Sequence, residues 1–166
     1  MPKKITNTAS DTQAGNELTS HVLATLNNLD DPVVILDKNW RYMFINETGS
    51  RVLEKSEQEV LGQNIWELFP DLENSTFKKR AYDAMQSQIK LEIEEYYPSI
   101  KKWYKTQFYP SENMLMIYLA NITELQRAQE MNTQLMGDLE VAMEIYWSEE
   151  NRARREARQQ QKHPKP

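Results

Sequence analysis

The 166-residue chain has no cysteine, only four glycines and two histidines, and no apolar run near the roughly 20 residues that cross a bilayer. Without cysteine there is no disulfide, no thiolate metal site, no cysteine nucleophile, and no flavin or bilin photochemistry through a cysteinyl adduct. The opening MPKKITNTAS lacks the apolar segment that follows the positive start of a signal peptide, so the protein is read as cytoplasmic. The sequons at Asn46, Asn74 and Asn121 are then accidents of spacing, because glycosylation needs the secretory route. His21 falls on an N-terminal helix and His163 in the last residues; both read as solvated, and a His-ligated haem is not expected.

Charge is unevenly spread. Residues 152–166 carry Arg152, Arg154, Arg155, Arg158, Lys162 and Lys165 against Glu156 alone, a net +5, which leaves −10 in the rest of a chain whose total is −5. An acidic body repels phosphate backbones, and the basic tail has no interleaved aromatic residues to stack on bases, so the sequence gives little support to nucleic-acid binding.

Residues 1–15 are small, polar and aperiodic, the pattern of a disordered leader. From Asn16, Leu18, Val22, Leu26 and Leu29 recur at helical spacing, which predicts a short amphipathic helix ending before Asp31-Pro32. PVVILD (32–37) and RYMFIN (41–46), joined by a polar turn, read as a hairpin. Residues 47–88 have helical character broken by Gly49, Ser56, Gly62 and Pro70 into very short pieces. Ser75 then caps a longer helix carrying Phe77, Ala81, Ala84 and Met85. IKLEIEEYY, KKWYKTQFYP and MLMIYLANI, separated by PSI and SEN, predict three antiparallel strands. The order predicts an α+β domain with its helices grouped on one face of the sheet.

After Thr123 only Gly137 interrupts helical character for about 35 residues. Leu125, Ala128, Asn132, Leu135, Leu139, Ala142, Tyr146 and Glu149 alternate in steps of three and four, the spacing of a coiled-coil seam. Such a helix spans on the order of 50 Å, so its apolar stripe needs another chain or element to cover it. A parallel homodimer is expected, with Asn132 favouring one register at some cost in stability.

NETGSRVLEKSEQEVLGQNIWELFPDL (46–72), EEYYPSIKKWYKTQFYPSENMLMIYLANITELQRAQE (94–130) and the preceding PVVILDKNWRYMFIN resemble a PAS domain of the bacterial sensor type over about residues 17–123. The resemblance implies the PAS fold: a five-stranded antiparallel sheet with short helices on one face enclosing a small pocket, an N-terminal cap helix, and a long C-terminal signalling helix. Asn46, Gly62, Pro70, Trp103, Tyr109 and Pro110 stand where the family places those types. The closing Asp-Ile-Thr of the family is Asn121-Ile122-Thr123 here, which replaces any ion pair at that carboxylate by a neutral hydrogen bond; Asn121 and Thr123 are the coupling candidates. The glycine common in the last hairpin is Met114, which leaves Asn113 to take a left-handed turn. The implied division is a leader over 1–15, the PAS domain with its cap helix over 16–123, the signalling helix over 124–150 and a basic tail over 151–166.

Alternation along the late strands puts Tyr104, Thr106 and Phe108, and Leu115, Ile117 and Leu119, on the face without lysine, which should point inward. By the resemblance, these six with Phe69, Phe77 and Met85 would line a ligand pocket; a filled core with the hydroxyls bonded to backbone is the alternative. Flavin-binding relatives place an asparagine and glutamine set on these strands, and the equivalent positions here are Tyr104 and Leu119. No cofactor is therefore named. Trp103, Tyr109, Met116 and Tyr118 form an outward apolar group that a helix of the same or a neighbouring subunit should cover. Pairs such as Glu92 with Glu94 and Asp30 with Asp31 read as solvated edges rather than metal or acid–base sites. No nucleophile-elbow, Walker or dinucleotide motif occurs. A non-enzymatic sensory and dimerisation module is expected, binding a small molecule or protein partner and signalling through the coiled coil to a separate output protein. The alternative is a ligand-free oligomerisation or adaptor module, with the basic tail contacting nucleic acid.

Overall fold

The computed structural model describes residues 9–98 and 100–162. The chain up to Ile122 and the chain from Thr123 onward form two compact units. In the first, helix α1 (Ala9–Asn27) precedes the hairpin of β1 (Val33–Asp37) and β2 (Tyr42–Ile45). Three short helices follow, α2 (Glu47–Leu53), α3 (Glu57–Val60) and α4 (Ile65–Leu68), then a 3-10 turn (Pro70–Leu72) and α5 (Thr76–Ser87). Strands β3 (Leu91–Tyr97), β4 (Lys102–Ser111) and β5 (Met114–Asn121) complete one antiparallel sheet in the order β2-β1-β5-β4-β3. This is the expected PAS fold.

Each short helix has a local reason to start. Asn46 caps α2 by accepting from the Gly49 N–H, Asn64 caps α4 by accepting from the Trp66 N–H, and Ser75 caps α5 by accepting from the Lys78 N–H. Ser56 and Glu59 close a capping box on α3. The core gathers Val34, Leu36, Ile45, Val60, Ile65, Phe77, Ala81, Ala84, Phe108, Leu115 and Ile117 between these helices and one face of the sheet. Ala81 and Ala84, both wholly buried, offer α5 a flat surface for packing.

Two local expectations are corrected. Helix α1 begins at Ala9, inside the stretch read as leader, because a helix nucleated downstream propagates into small polar residues without needing an apolar face there; residues 1–8 lie outside the described residues. Asn113 is not left-handed: the described non-glycine residues at positive φ are Trp40, Glu54, Gln88 and Lys101. Ser111 pairs directly with Met114, and the Ser111 hydroxyl donates to the Met114 carbonyl at 3.2 Å, so the turn closes without that conformation.

The second unit is α6 (Thr123–Lys162), 40 residues or about 60 Å of helix. It runs through the boundary expected near residue 150, and its basic end is helical as far as Lys162. Arg154 pairs with Glu150 at 2.7 Å and Arg152 with Glu156 at 3.9 Å, spacings of four residues that favour continuation of the helix. His163 and Lys165 lie outside the described residues.

Candidate functional site

The pleat of β4 buries Tyr104, Thr106 and Phe108 and turns Lys105 and Gln107 outward. Beneath the inward face lies a cavity of about 350 Å³. Of the residues expected at a pocket, Phe69, Phe77, Tyr104, Ile117 and Leu119 line it. Met85, Thr106, Phe108 and Leu115 do not. The division follows the path of α5. Its C-terminal Gln88 reaches the Ser111 carbonyl at 3.4 Å, so α5 covers the end of the sheet near that hairpin, where Phe108 and Leu115 are wholly buried and Met85 packs against the core. The Phe77 ring meets Phe108 edge-on at 5.2 Å and forms the partition.

The other walls come from residues outside the two late strands: Tyr42 on β2, Tyr97 on β3, Ile100 beyond it, and Val52, Leu53, Ile65, Leu68 and Leu72 on the short helical pieces. Their apolar character was visible, but pieces of four to seven residues are too short to reveal a helical phase. Pro70, Asp71 and Ile100 are lining residues that remain exposed, which places the opening of the cavity there. Tyr97 and Tyr104 meet edge-on with ring centres 5.7 Å apart.

Among the described residues the lining holds three phenols, Tyr42, Tyr97 and Tyr104, and one charged group, Asp71. Burial pushes the Tyr42 pKa up. Burial also raises Tyr97, with the Glu95 carboxylate adding to the effect and the Thr106 hydroxyl opposing it. Tyr104 is raised by burial and then by the charge of Asp31. All three are neutral phenols at physiological pH. The Thr106 oxygen is wholly buried and makes no hydrogen bond of good geometry, although the Tyr97 phenol lies near enough to feel it.

On the outward face the expected apolar group divides. Tyr109 sits opposite Met116 and Tyr118 opposite Gln107, but Trp103 lies six residues from Tyr109, roughly 20 Å along the strand. Lys105 and Gln107 occupy the same face between them. Trp103 instead meets Tyr96, with ring centres 5.6 Å apart. Lys105 reaches Glu92 at 2.7 Å and Glu94 at 3.6 Å, and Gln107 donates to Glu92 at 3.2 Å while accepting from the Tyr109 hydroxyl at 2.9 Å. Glu92 and Glu94 are thus held by a lysine, not left as a bare edge. Among the described side chains of α1 only Leu23 and Leu26 are half-buried; Leu18 and Val22 are exposed.

One buried node ties the start of the sheet together. The Asn46 oxygen accepts from the Val33 N–H at 2.9 Å and the Gly49 N–H at 2.8 Å, and its amide donates to the Leu26 carbonyl at 3.1 Å and the Asp31 carbonyl at 2.9 Å. A second node sits at the end of β5. The Asp31 carboxylate accepts from the Tyr118 hydroxyl at 2.6 Å and from the Asn121 N–H at 3.1 Å. Thr123 opens α6 and is buried, whereas Leu125, Asn132, Leu135 and Leu139 are exposed along it.

The PAS fold family model matches residues 20–96, which span the hairpin, the short helices and β3. The chain contains a PAS domain. No curated protein matches the sequence. Among solved structures, a sensory box sensor histidine kinase from Vibrio cholerae aligns at 17% identity and a TM-score of 0.51, over 67% of this chain and 98% of that one. The photoactive yellow protein domain of the sensor histidine kinase Ppr from Rhodospirillum centenum aligns at 19% identity and 0.50, over 59% and 91%. An RNA-binding light-oxygen-voltage receptor aligns at 13% identity and 0.57 over 82% of this chain, which spans 40% of that receptor's length. These likenesses carry the fold. Within this PAS domain, Asn121 takes the closing acidic position, and a carboxylate still reaches that point of the backbone, from Asp31. Among the described residues no helix is long and apolar enough to cross a membrane.

Proposed function

We propose that the chain is a cytoplasmic sensory and dimerisation module. A small molecule occupies the PAS cavity, and its presence is passed along α6, paired with α6 of a second copy, to an output protein. The observation that carries this reading is the surface of α6. Leu135 is 64% and Leu139 52% exposed, with Leu125, Met136, Met143 and Tyr146 exposed on the same broad stripe. An apolar stripe of that extent is an interaction surface, and its alternating spacing of three and four suits a parallel helix of the same kind.

The sensing half rests on the cavity and on Asp31, which joins the segment before β1 to the last residue of β5. No enzymatic role is proposed. Among the described residues the lining offers no histidine, lysine or paired acid and base, and the three phenols stay protonated.

Native mass spectrometry of protein purified from its own host tests the sensing half. The expected result is one small molecule of a single mass per chain, released on unfolding. A homogeneous dimer with no bound molecule, whose α6 spacing is unmoved by any extract of the host, would favour the ligand-free adaptor instead. Because the chain lacks cysteine, one introduced at Gln134 would carry a spin label that reads this spacing between copies.

A further inference from the structure

We infer that the cavity selects neutral, apolar molecules of two or three rings and rejects organic anions. The inference rests on the proposed sensing role only in assuming that the cavity takes a ligand; the selectivity follows from the lining itself.

Size comes first. A cavity of about 350 Å³ stands at the lower end of the roughly 300–1,000 Å³ that small-molecule sites occupy. It is more than twice the roughly 150 Å³ apolar cavity that takes up benzene. It therefore suits two or three rings rather than one. The shape of the walls agrees. Phe69, Phe77, Tyr97 and Tyr104 present ring faces or edges, and the remaining lining is mostly aliphatic.

Charge decides the class. An anion taken from water into such a site needs a cation or several converging donors, because an unpaired buried charge costs far more than apolar contact returns. Among the described residues no lysine, arginine or histidine lines the cavity. Its one charged group is Asp71, which carries the same sign as the anion and sits at the exposed opening. Lys101 and Lys102 follow Ile100 in the chain, but both are exposed and neither belongs to the lining. What the walls can offer a ligand is the phenol hydrogens of Tyr42, Tyr97 and Tyr104, held neutral by burial. A phenol donates to a carbonyl, ether or amine of a neutral molecule without requiring a charge.

The test uses two probes that share one skeleton. N-phenyl-1-naphthylamine is neutral, and 1-anilinonaphthalene-8-sulfonate adds a single sulfonate; both fluoresce when they leave water. The 166-residue chain, stripped of any carried ligand, is titrated with each, and the sulfonate is also tested as a competitor of the bound amine. The expected result is saturable binding of the amine and at least ~10-fold weaker competition by the sulfonate, as follows for an anion without a counter-charge. Leu119→Trp and, from the opposite wall, Leu68→Trp should each abolish amine binding while circular dichroism stays native; two variants guard against one failing to fold. Competition by the sulfonate as strong as by the amine would overturn the selectivity and leave a ligand-binding cavity standing. Binding of neither probe to folded protein would overturn the selectivity together with the sensing half of the proposed function. Amine binding that survives both tryptophan variants would place it elsewhere and overturn the assignment to this cavity.

Discussion

Asp31 and Tyr118, 87 residues apart in sequence, are joined by a 2.6 Å hydrogen bond in which the phenol donates to the carboxylate. The bond pushes the Tyr118 pKa up to about 12 from the ordinary 10.0, helped by burial and by the charge of Asp31. A raised pKa means that the folded state holds the proton more tightly. Its contribution to stability is complete below pH 10 and is lost as pH rises toward 12. The difference in phenolate absorbance between the natural protein and Tyr118→Phe should show one group ionising near pH 12. In Asp31→Asn that group should return toward the ordinary range. A Tyr118 that ionises with the bulk tyrosines in the natural protein would show that the bond is absent in solution.

Asn46 uses its whole hydrogen-bonding capacity while wholly buried. Asn46→Ala strands the Val33 and Gly49 N–H groups and the Asp31 carbonyl, while the Leu26 carbonyl keeps the Leu29 N–H at 3.3 Å, and should cost about 2–4 kcal/mol in urea unfolding, since a buried unpaired polar group is worth about 1–3 kcal/mol. Hydrogen exchange should locate the damage at the Val33 and Gly49 amides. A loss below about 1 kcal/mol would mean that water replaces the side chain without penalty.

Trp40 holds a left-handed conformation, φ 64°, that a bulky residue rarely accepts. Its ring is packed 4.3 Å from that of Tyr82 and 5.3 Å from that of Trp66, measured between ring centres. Trp40→Gly releases about 1 kcal/mol of backbone strain but forfeits this aromatic packing, and the net result should be a loss of about 1–3 kcal/mol. Thermal unfolding checks the sign. A variant as stable as the natural protein would show that the strain matches the packing, and a more stable one that it outweighs it.

The strands were legible because β4 alternates, with Lys105 between buried Tyr104 and Thr106 fixing which face is inward, and because β5 is a continuous apolar run. The helix α6 was legible from a long stretch with only Gly137 to interrupt it. The cavity was legible only by half. Its sheet wall follows the pleat, but its opposite wall is built from pieces such as Ile65–Leu68, held in place by caps and packing rather than by periodicity. Asp31 was read as a solvated carboxylate because nothing local marks a partner 87 residues away. Trp40 takes a left-handed conformation in the β1–β2 connection, where its ring packs on Tyr82 and where no glycine or asparagine at that position marks it, whereas Asn113 in the β4–β5 hairpin does not. The outward apolar group looked continuous in a list of residue types, but distance along β4 separates Trp103 from Tyr109.

The pairing of α6 with a second copy is the claim on which transmission depends, and light scattering of the 166-residue chain tests it most directly. The account predicts a mass twice the 19.6 kDa of one chain, falling to that of a single chain in Leu135→Glu/Leu139→Glu while the near-ultraviolet circular dichroism of the PAS domain is retained. A natural protein that runs as a single chain at all concentrations, or a double variant that keeps the doubled mass, would contradict it.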